Sequence, residues 1–452
     1  MSLSLILFVI FVVAAVIAAL VRPKYGLYAY TLMFYIHPPS RWWGEILPDL
    51  RWSLIFAGLT LVSAVIHRQL ANKSQVRDKT LRYWFLFVVW VWVTSAWAID
   101  VERQSFIAEL FAKYLLLWWL MTRVLTTPEE LKEFLMVHVM GCFYLGYIAF
   151  TSHSGGRLEG VGGPGIDDAN TLGMQCAAAL VVAGVLSMTE KGWIRWVSFA
   201  SIPFILNTVI LAGSRGAFVA ILACGLYMFW VKPKSLRGPF LAYGMLGIVA
   251  FLFLVNEEFL DRIVTLGATV DETQEVDGSS QSRLVVIEAQ LEMAKNHALG
   301  LGHKGTLALS DEYIPAEYHT KEGAGRASHN TYMSFLVDQG IPGAILFAMI
   351  LFSAFSVLRR ARAAGNPQLR GPILAIAGSL ALLLVAGLAS NFQKAEVMYW
   401  MLALTSVLVR LLQVDPVATP DPSYSKGLAR ATRRHRGAHV GRSRPRELGE
   451  TH

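Results

Sequence analysis

The chain has 452 residues, 54% of them hydrophobic and only 16% charged, with a mean hydropathy of +0.47. Apolar runs recur along its whole length, which excludes an ordinary soluble domain and defines a multi-span, all-α membrane protein. The formal charge of +8 sits mostly in the tail: eight Lys/Arg against two Asp/Glu fall between Lys426 and His452, a composition that beside a last membrane helix reads as a disordered cytoplasmic segment near anionic lipid headgroups rather than a nucleic-acid binder.

The first apolar run, Met1 to Val21, lacks a basic leader and a small-residue cleavage site, so it reads as a retained helix. Candidate spans follow near 25–38, 52–67, 83–98, 105–122, 132–150, 170–188, 193–212, 216–231, 238–256, 331–358, 371–390 and 396–413. The 25–38 segment is short and ends in His37-Pro38-Pro39. If it or the first segment is interfacial, twelve crossings result with both ends on the same side, and about twelve is the preferred count. Trp42, Trp43, Trp52, Trp84, Trp97, Trp193 and Trp196 fall near span ends, as an interfacial aromatic belt requires. Cys142, Cys176 and Cys224 lie inside apolar segments with no CxxC spacing, so neither a disulfide framework nor a zinc site is indicated.

The connections rich in Lys and Arg (68–82, 191–195, 232–237, 359–370 and the tail) all fall on one side, which the positive-inside rule makes cytoplasmic. The polar stretch from Glu257 to Ser328 is then external. It carries thirteen Asp/Glu against six Lys/Arg, the asymmetry of a translocated loop.

The external side collects the chemistry. Gly155-Gly156-Arg157 and Gly162-Gly163-Pro164-Gly165 keep the segment before the seventh span out of helix, and Asp167, Asp168 or Asn170 can cap the helix that follows. Read functionally, Arg157 and exposed backbone N–H groups there bind phosphate or sugar hydroxyls; read structurally, the segment is a capped loop. Arg215 opens the ninth span after Gly213-Ser214. An arginine at a helix end often snorkels to headgroups, yet one on the outer side runs against the positive-inside bias and asks for an anionic ligand or a carboxylate. Arg283 begins an amphipathic stretch with Leu284, Ile287, Leu291 and Ala294 at helical spacing, which predicts a helix on the membrane surface. Two guanidiniums from separate segments suit a diphosphate, since each binds oxygens bidentately and stays charged.

His297, His303, His319 and His329 belong to the external loop, and only His329 stands at a membrane helix entrance, with Asn330 placed to cap that helix. A histidine there can accept a proton from an attacking hydroxyl, or it can be a cap residue. No HxxxH pair supports a metal, so none is expected. Glu109 and Lys113, four apart on the fifth span, predict an ion pair within the bundle. No internal repeat suggests a transporter or flippase built from two halves.

Gly156-Arg157 through Asn170, Gly213-Ser214-Arg215-Gly216, Ser282-Arg283 leading to Gly300-Leu301-Gly302, and Ser328-His329-Asn330 continuing to Gly340-Ile341-Pro342-Gly343 together resemble the O-antigen ligase and O-antigen polymerase superfamily. Arg22-Pro23 through Trp42-Trp43-Gly44 is similar to its exosortase-associated O-glycosylation ligase branch. The resemblance implies a GT-C-like fold in a bacterial inner membrane. Its parts would be N-terminal transmembrane helices (1–256), one large periplasmic loop (257–330), C-terminal transmembrane helices (331–413) and the basic tail (414–452). It also implies an inverting glycosyltransferase needing neither metal nor cofactor, which moves a glycan from undecaprenyl diphosphate to a lipid A core sugar; extension of the glycan on its carrier is the polymerase alternative. By position, Arg215 and Arg283 would hold the diphosphate and His329 would orient or deprotonate the acceptor hydroxyl. Arg157, Asn170, Asn330 and Lys394, in the last external turn, would be supporting contacts.

Overall fold

The computed structural model describes residues 2–71, 78–153, 155–255, 280–319 and 325–414. The expected basic tail and the first part of the expected external loop, 256–279, lie outside the described residues. The chain divides into a unit over Met1–Leu411 and a second over Leu412–His452. Among the described residues every regular element is a helix, as the composition predicts.

Ten helices precede the polar segment: α1 (Leu3–Val21), α2 (Pro23–Ile36), α3 (Trp52–Ile66), α4 (Lys79–Thr94), α5 (Val101–Val124), α6 (Pro128–Ser152), α7 (Ala169–Thr189), α8 (Gly192–Leu211), α9 (Arg215–Val231) and α10 (Arg237–Leu254). The polar segment contributes α11 (Ser280–Asn296) and two single-turn helices, α12 (Gly305–Ala308) and α13 (Ser310–Tyr313); α14 (Thr331–Ala364), α15 (Arg370–Ala386) and α16 (Glu396–Val414) complete the chain. Each candidate span of the sequence falls on one of these helices. By length and apolarity, nine among the described residues can cross a membrane, and α3 and α9 are shorter apolar helices.

The helices start where side chains can satisfy the first free amides. Thr127 and Glu130 form a reciprocal capping box on α6. Of the three capping candidates before α7, Asp168 is the cap, accepting from the amides of Asn170 and Thr171. Ser214 caps α9 and Asn330 caps α14.

The core is aromatic where α4, α5, α14 and α16 meet. Trp84 stacks on Trp118 with centroids 5.8 Å apart and on Phe87 at 5.4 Å, with Phe111, Phe335 and Tyr399 around them. Trp84 is fully buried, which removes it from the expected belt; Trp43 is buried too, whereas Trp42, Trp193 and Trp196 are exposed. Such rings supply large dispersion contacts in a medium where helix association gains little from the hydrophobic effect. The Glu109–Lys113 ion pair forms at 3.5 Å, but both side chains are half exposed, so it lies on an outer helix face and not inside the bundle.

One helix is broken. α14 departs from helical geometry at Gly340 (φ 68°, ψ −174°), two residues before Pro342. The carbonyls this break frees are taken by the segment after α11: Leu301 N–H donates to Val337 O and Gly302 N–H to Asp338 O, both at 2.9 Å, and Ile341 N–H donates back to Ala298 O. Trp97 Nε1 and Ile99 N–H fasten the same segment to the end of α4 through Gly300 O and Leu301 O. The glycine motifs Gly300-Leu301-Gly302 and Gly340-Ile341-Pro342-Gly343 are therefore the two halves of one junction. It holds α11 against α14.

Candidate functional site: a cationic cleft beside a polar cavity

The turn between α15 and α16 is the floor of the site. Thr331 donates its amide to Gly387 O at 2.8 Å and its hydroxyl to Ser390 O at 2.8 Å, and its oxygen accepts from Phe392 N–H at 2.9 Å. Asn330 Nδ2 adds a bond to Leu388 O at 3.2 Å. These bonds pin the start of α14, and so place His329 over the turn. The start of α9 comes against the same turn, since a Cβ on Gly216 would stand 3.1 Å from Ala389 Cβ. Arg215, the first residue of α9, is thereby brought to this end of the bundle.

Arg157 anchors that arrangement from the other side. Its Nε donates to Ala212 O at 3.1 Å and its Nη2 to Asn170 Oδ1 at 2.7 Å, while Glu159 lies 3.6 Å from Nη1. Leu158 N–H donates to Leu211 O at 3.0 Å. The guanidinium thus fixes the Gly213-Ser214 turn that presents Arg215.

Arg283 stands in the first turn of α11, whose inward face is Val286, Ala289 and Met293. Of the expected apolar stripe, Leu284 and Leu291 are exposed and Ala294 is buried, while another face of the helix meets α14 and Ile314. Burial, then the charges of Arg215 and Arg326, hold the pKa of Arg283 below the ordinary arginine value. Arg215 and Arg326 are thus each within electrostatic reach of Arg283. Arg326, buried, reaches Ser282 Oγ at 3.5 Å.

His329 borders the same cleft, with Arg283, Arg326 and Asn330. Its imidazole is open to solvent, yet the protein closing around the ring, followed by the charges of Arg326 and Arg283, lowers its pKa below the histidine norm. It therefore stands as neutral imidazole near pH 7, the form that accepts a proton.

On the far side of His329 opens a cavity of about 470 Å³. Asn170, Lys304, Asp338, Gln393 and Lys394 line it together with His303. His303 Nδ1 and Asp338 Oδ2 are 3.3 Å apart, and Asp338 Oδ1 accepts from Gly305 N–H. Among the described residues, no group of three or more His, Cys, Asp or Glu side chains is placed to hold a metal ion.

Residues 200–348 match the O-antigen ligase family model. This segment belongs to the O-antigen ligase superfamily, and it runs from α8 into α14, so it contains Arg215, Arg283 and His329. The match supports a membrane glycosyltransferase of the ligase or polymerase type. A comparison with curated proteins finds no match.

Within the matched segment the structure adds residues that the motifs did not single out: Arg326, Lys304 and the His303–Asp338 pair. Arg326 stands three residues before His329, a spacing visible in the sequence as a second cation at the helix entrance. The other three meet only through the Gly300–Gly340 junction.

Proposed function

We propose that the protein is an O-antigen ligase that transfers a glycan from undecaprenyl diphosphate to a sugar of a lipid A core, with inversion and without a metal. Its site would face the periplasm of a bacterial inner membrane, the chain crossing about twelve times and residues 257–330 forming the periplasmic loop. One observation carries this reading: His329 lies between a cluster of guanidiniums and a polar cavity, so a single side chain borders both an anion-binding cleft and a space for a sugar.

In this reading Arg215 and Arg283 hold the diphosphate and Arg326 adds a third positive charge. The acceptor hydroxyl oxygen attacks the anomeric carbon from the face opposite the diphosphate. The new C–O bond forms as the bond to the diphosphate breaks, its electron pair leaves with the diphosphate, and the hydroxyl proton passes to His329. The arginines act most strongly in the transition state, because charge accumulates on the leaving diphosphate as the bond breaks. Asn170 and Lys394 face the acceptor from the cavity wall. Arg157 and Asn330 serve by position, one through Ala212 and Asn170, the other as the cap and tether of α14.

The deciding experiment supplies purified protein in lipid with undecaprenyl-diphosphate glycan and a lipid A core. Glycan on the core supports the ligase. Longer glycan still on undecaprenyl diphosphate assigns a polymerase instead, and no transfer by folded, membrane-inserted protein ends both readings.

A further inference from the structure

We propose that the cavity beside His329 is a subsite for an anionic acceptor sugar, in which Lys304 and Lys394 hold a phosphate or carboxylate while His303 and Gln393 accept hydroxyl protons. The inference rests on the transferase reading of His329 and adds the chemical class of the acceptor.

The cavity wall carries two ammoniums, Lys304 and Lys394, beside three carboxylates, Asp167, Asp168 and Asp338. Among the described residues, neither the Lys304 nor the Lys394 ammonium has an ion-pair partner. Those carboxylates keep their charge, but none forms an ion pair with either lysine: Asp168 caps α7, Asp167 accepts from Gly165 N–H, and Asp338 serves Gly305 N–H and His303. Lys394 Nζ lies 5.0 Å from the centroid of the Phe106 ring, which steadies its stem without neutralising it. Burial and then the nearby Lys304 charge depress the Lys394 pKa, with Asp338 opposing, so the two ammoniums repel across the cavity. An anion between them would turn that repulsion into two charge-assisted hydrogen bonds.

The polar atoms point the same way. His303 and Gln393 are 5% and 3% exposed, and His303 Nε2 and Gln393 Oε1 have no hydrogen-bond partner among the described residues. Both residues line the cavity. In the tautomer that turns Nδ1–H to Asp338, the second ring nitrogen of His303 is an acceptor, as is the Gln393 oxygen. Two buried acceptors beside two ammoniums complement a sugar with hydroxyls at one edge and an anionic substituent at the other. A third sign is backbone strain. Lys304 holds a left-handed conformation (φ 63°, ψ 28°) that a long side chain seldom adopts, at the lip of the same cavity. The volume lies within the ~300–1,000 Å³ of small-molecule sites.

The test measures binding of glucose 6-phosphate, glucuronate and glucose to the full-length protein in lipid nanodiscs, by calorimetry. At least one anionic sugar is expected to bind about tenfold more tightly than glucose. A preference for the phosphate identifies a phosphorylated acceptor, and one for glucuronate a carboxylated acceptor. Lys304→Asn with Lys394→Met should erase the preference; asparagine tolerates the left-handed backbone and methionine keeps the Phe106 contact. Lys394→Arg should retain it. Equal affinity for all three sugars, or a preference that survives the double substitution in folded protein, overturns the proposal. Because binding is read without turnover, its failure stands apart from failure of the transferase reading. Binding of undecaprenyl diphosphate to wild type, and its loss in Arg283→Ala, tests that reading in the same nanodiscs.

Discussion

Gly300 and Gly340 meet backbone to backbone: a Cβ built on either would stand 2.5 Å from the amide nitrogen of the other. Both carry positive φ, +90° and +68°. The contact is what lets the chain after α11 take the carbonyls freed by the break in α14. Gly300→Ala and Gly340→Ala should each destabilise the fold, by about 1–3 kcal/mol for the strained backbone alone and more for the clash. The expected result is a lower melting temperature in detergent. Unchanged melting in both variants would show that the junction does not bear on stability.

Arg283 tests whether the cleft needs geometry or only charge. Arg283→Ala and Arg215→Ala should each cost on the order of 2–4 kcal/mol in transfer rate, the scale of a group that stabilises developing charge. Arg283→Lys should recover a minor part of the loss, because an ammonium keeps the charge but cannot make two parallel bonds to a phosphate. Single-turnover rates with saturating donor check this. Full activity in the lysine variant would replace bidentate binding with simple attraction.

The helices were legible because lipid imposes a simple code, a long apolar run bounded by charge or glycine, and each such run became a helix. The start of α14 was legible for a local reason, since Asn330 announces it as a cap. What was not legible was orientation about a helix axis. In α11, apolar residues occupy more than one face, so periodicity alone does not show that Val286 and Met293 are the ones that turn inward. Glu109 and Lys113 pair as their spacing requires, but spacing does not say which face of α5 looks out of the bundle. His303, Lys304 and Asp338 escaped notice because they converge only after residues 298–302 dock on α14, a contact between segments far apart in the chain.

Arg157 offers a second test, of position against contact. Its guanidinium is engaged by Ala212 O, Asn170 Oδ1 and Glu159, so its effect on the site runs through the turn that presents Arg215. Arg157→Ala should weaken diphosphate binding and also lower the melting temperature, each bond to the charged group contributing about 1.5–3 kcal/mol. Arg215→Ala should weaken binding with little change in melting, since that arginine is placed to serve the ligand. If Arg157→Ala binds donor poorly at unchanged stability, Arg157 touches the substrate itself.

The lowered pKa of His329 sets the pH dependence of transfer. The protein around the ring and the charges of Arg326 and Arg283 all disfavour the imidazolium, so the base is neutral down to a pH below the ordinary ~6.5 of histidine. Activity should hold level through neutrality and fall only as the pH drops through that lowered value, where the ring gains a proton and can no longer accept one. Arg326→Gln removes one of the opposing charges, so its acid limb should move to higher pH, toward the unperturbed value. The limb should vanish with the activity in His329→Ala. A profile of kcat against pH for the three proteins decides the matter: an acid limb unmoved in Arg326→Gln would mean that a group other than His329 takes the proton.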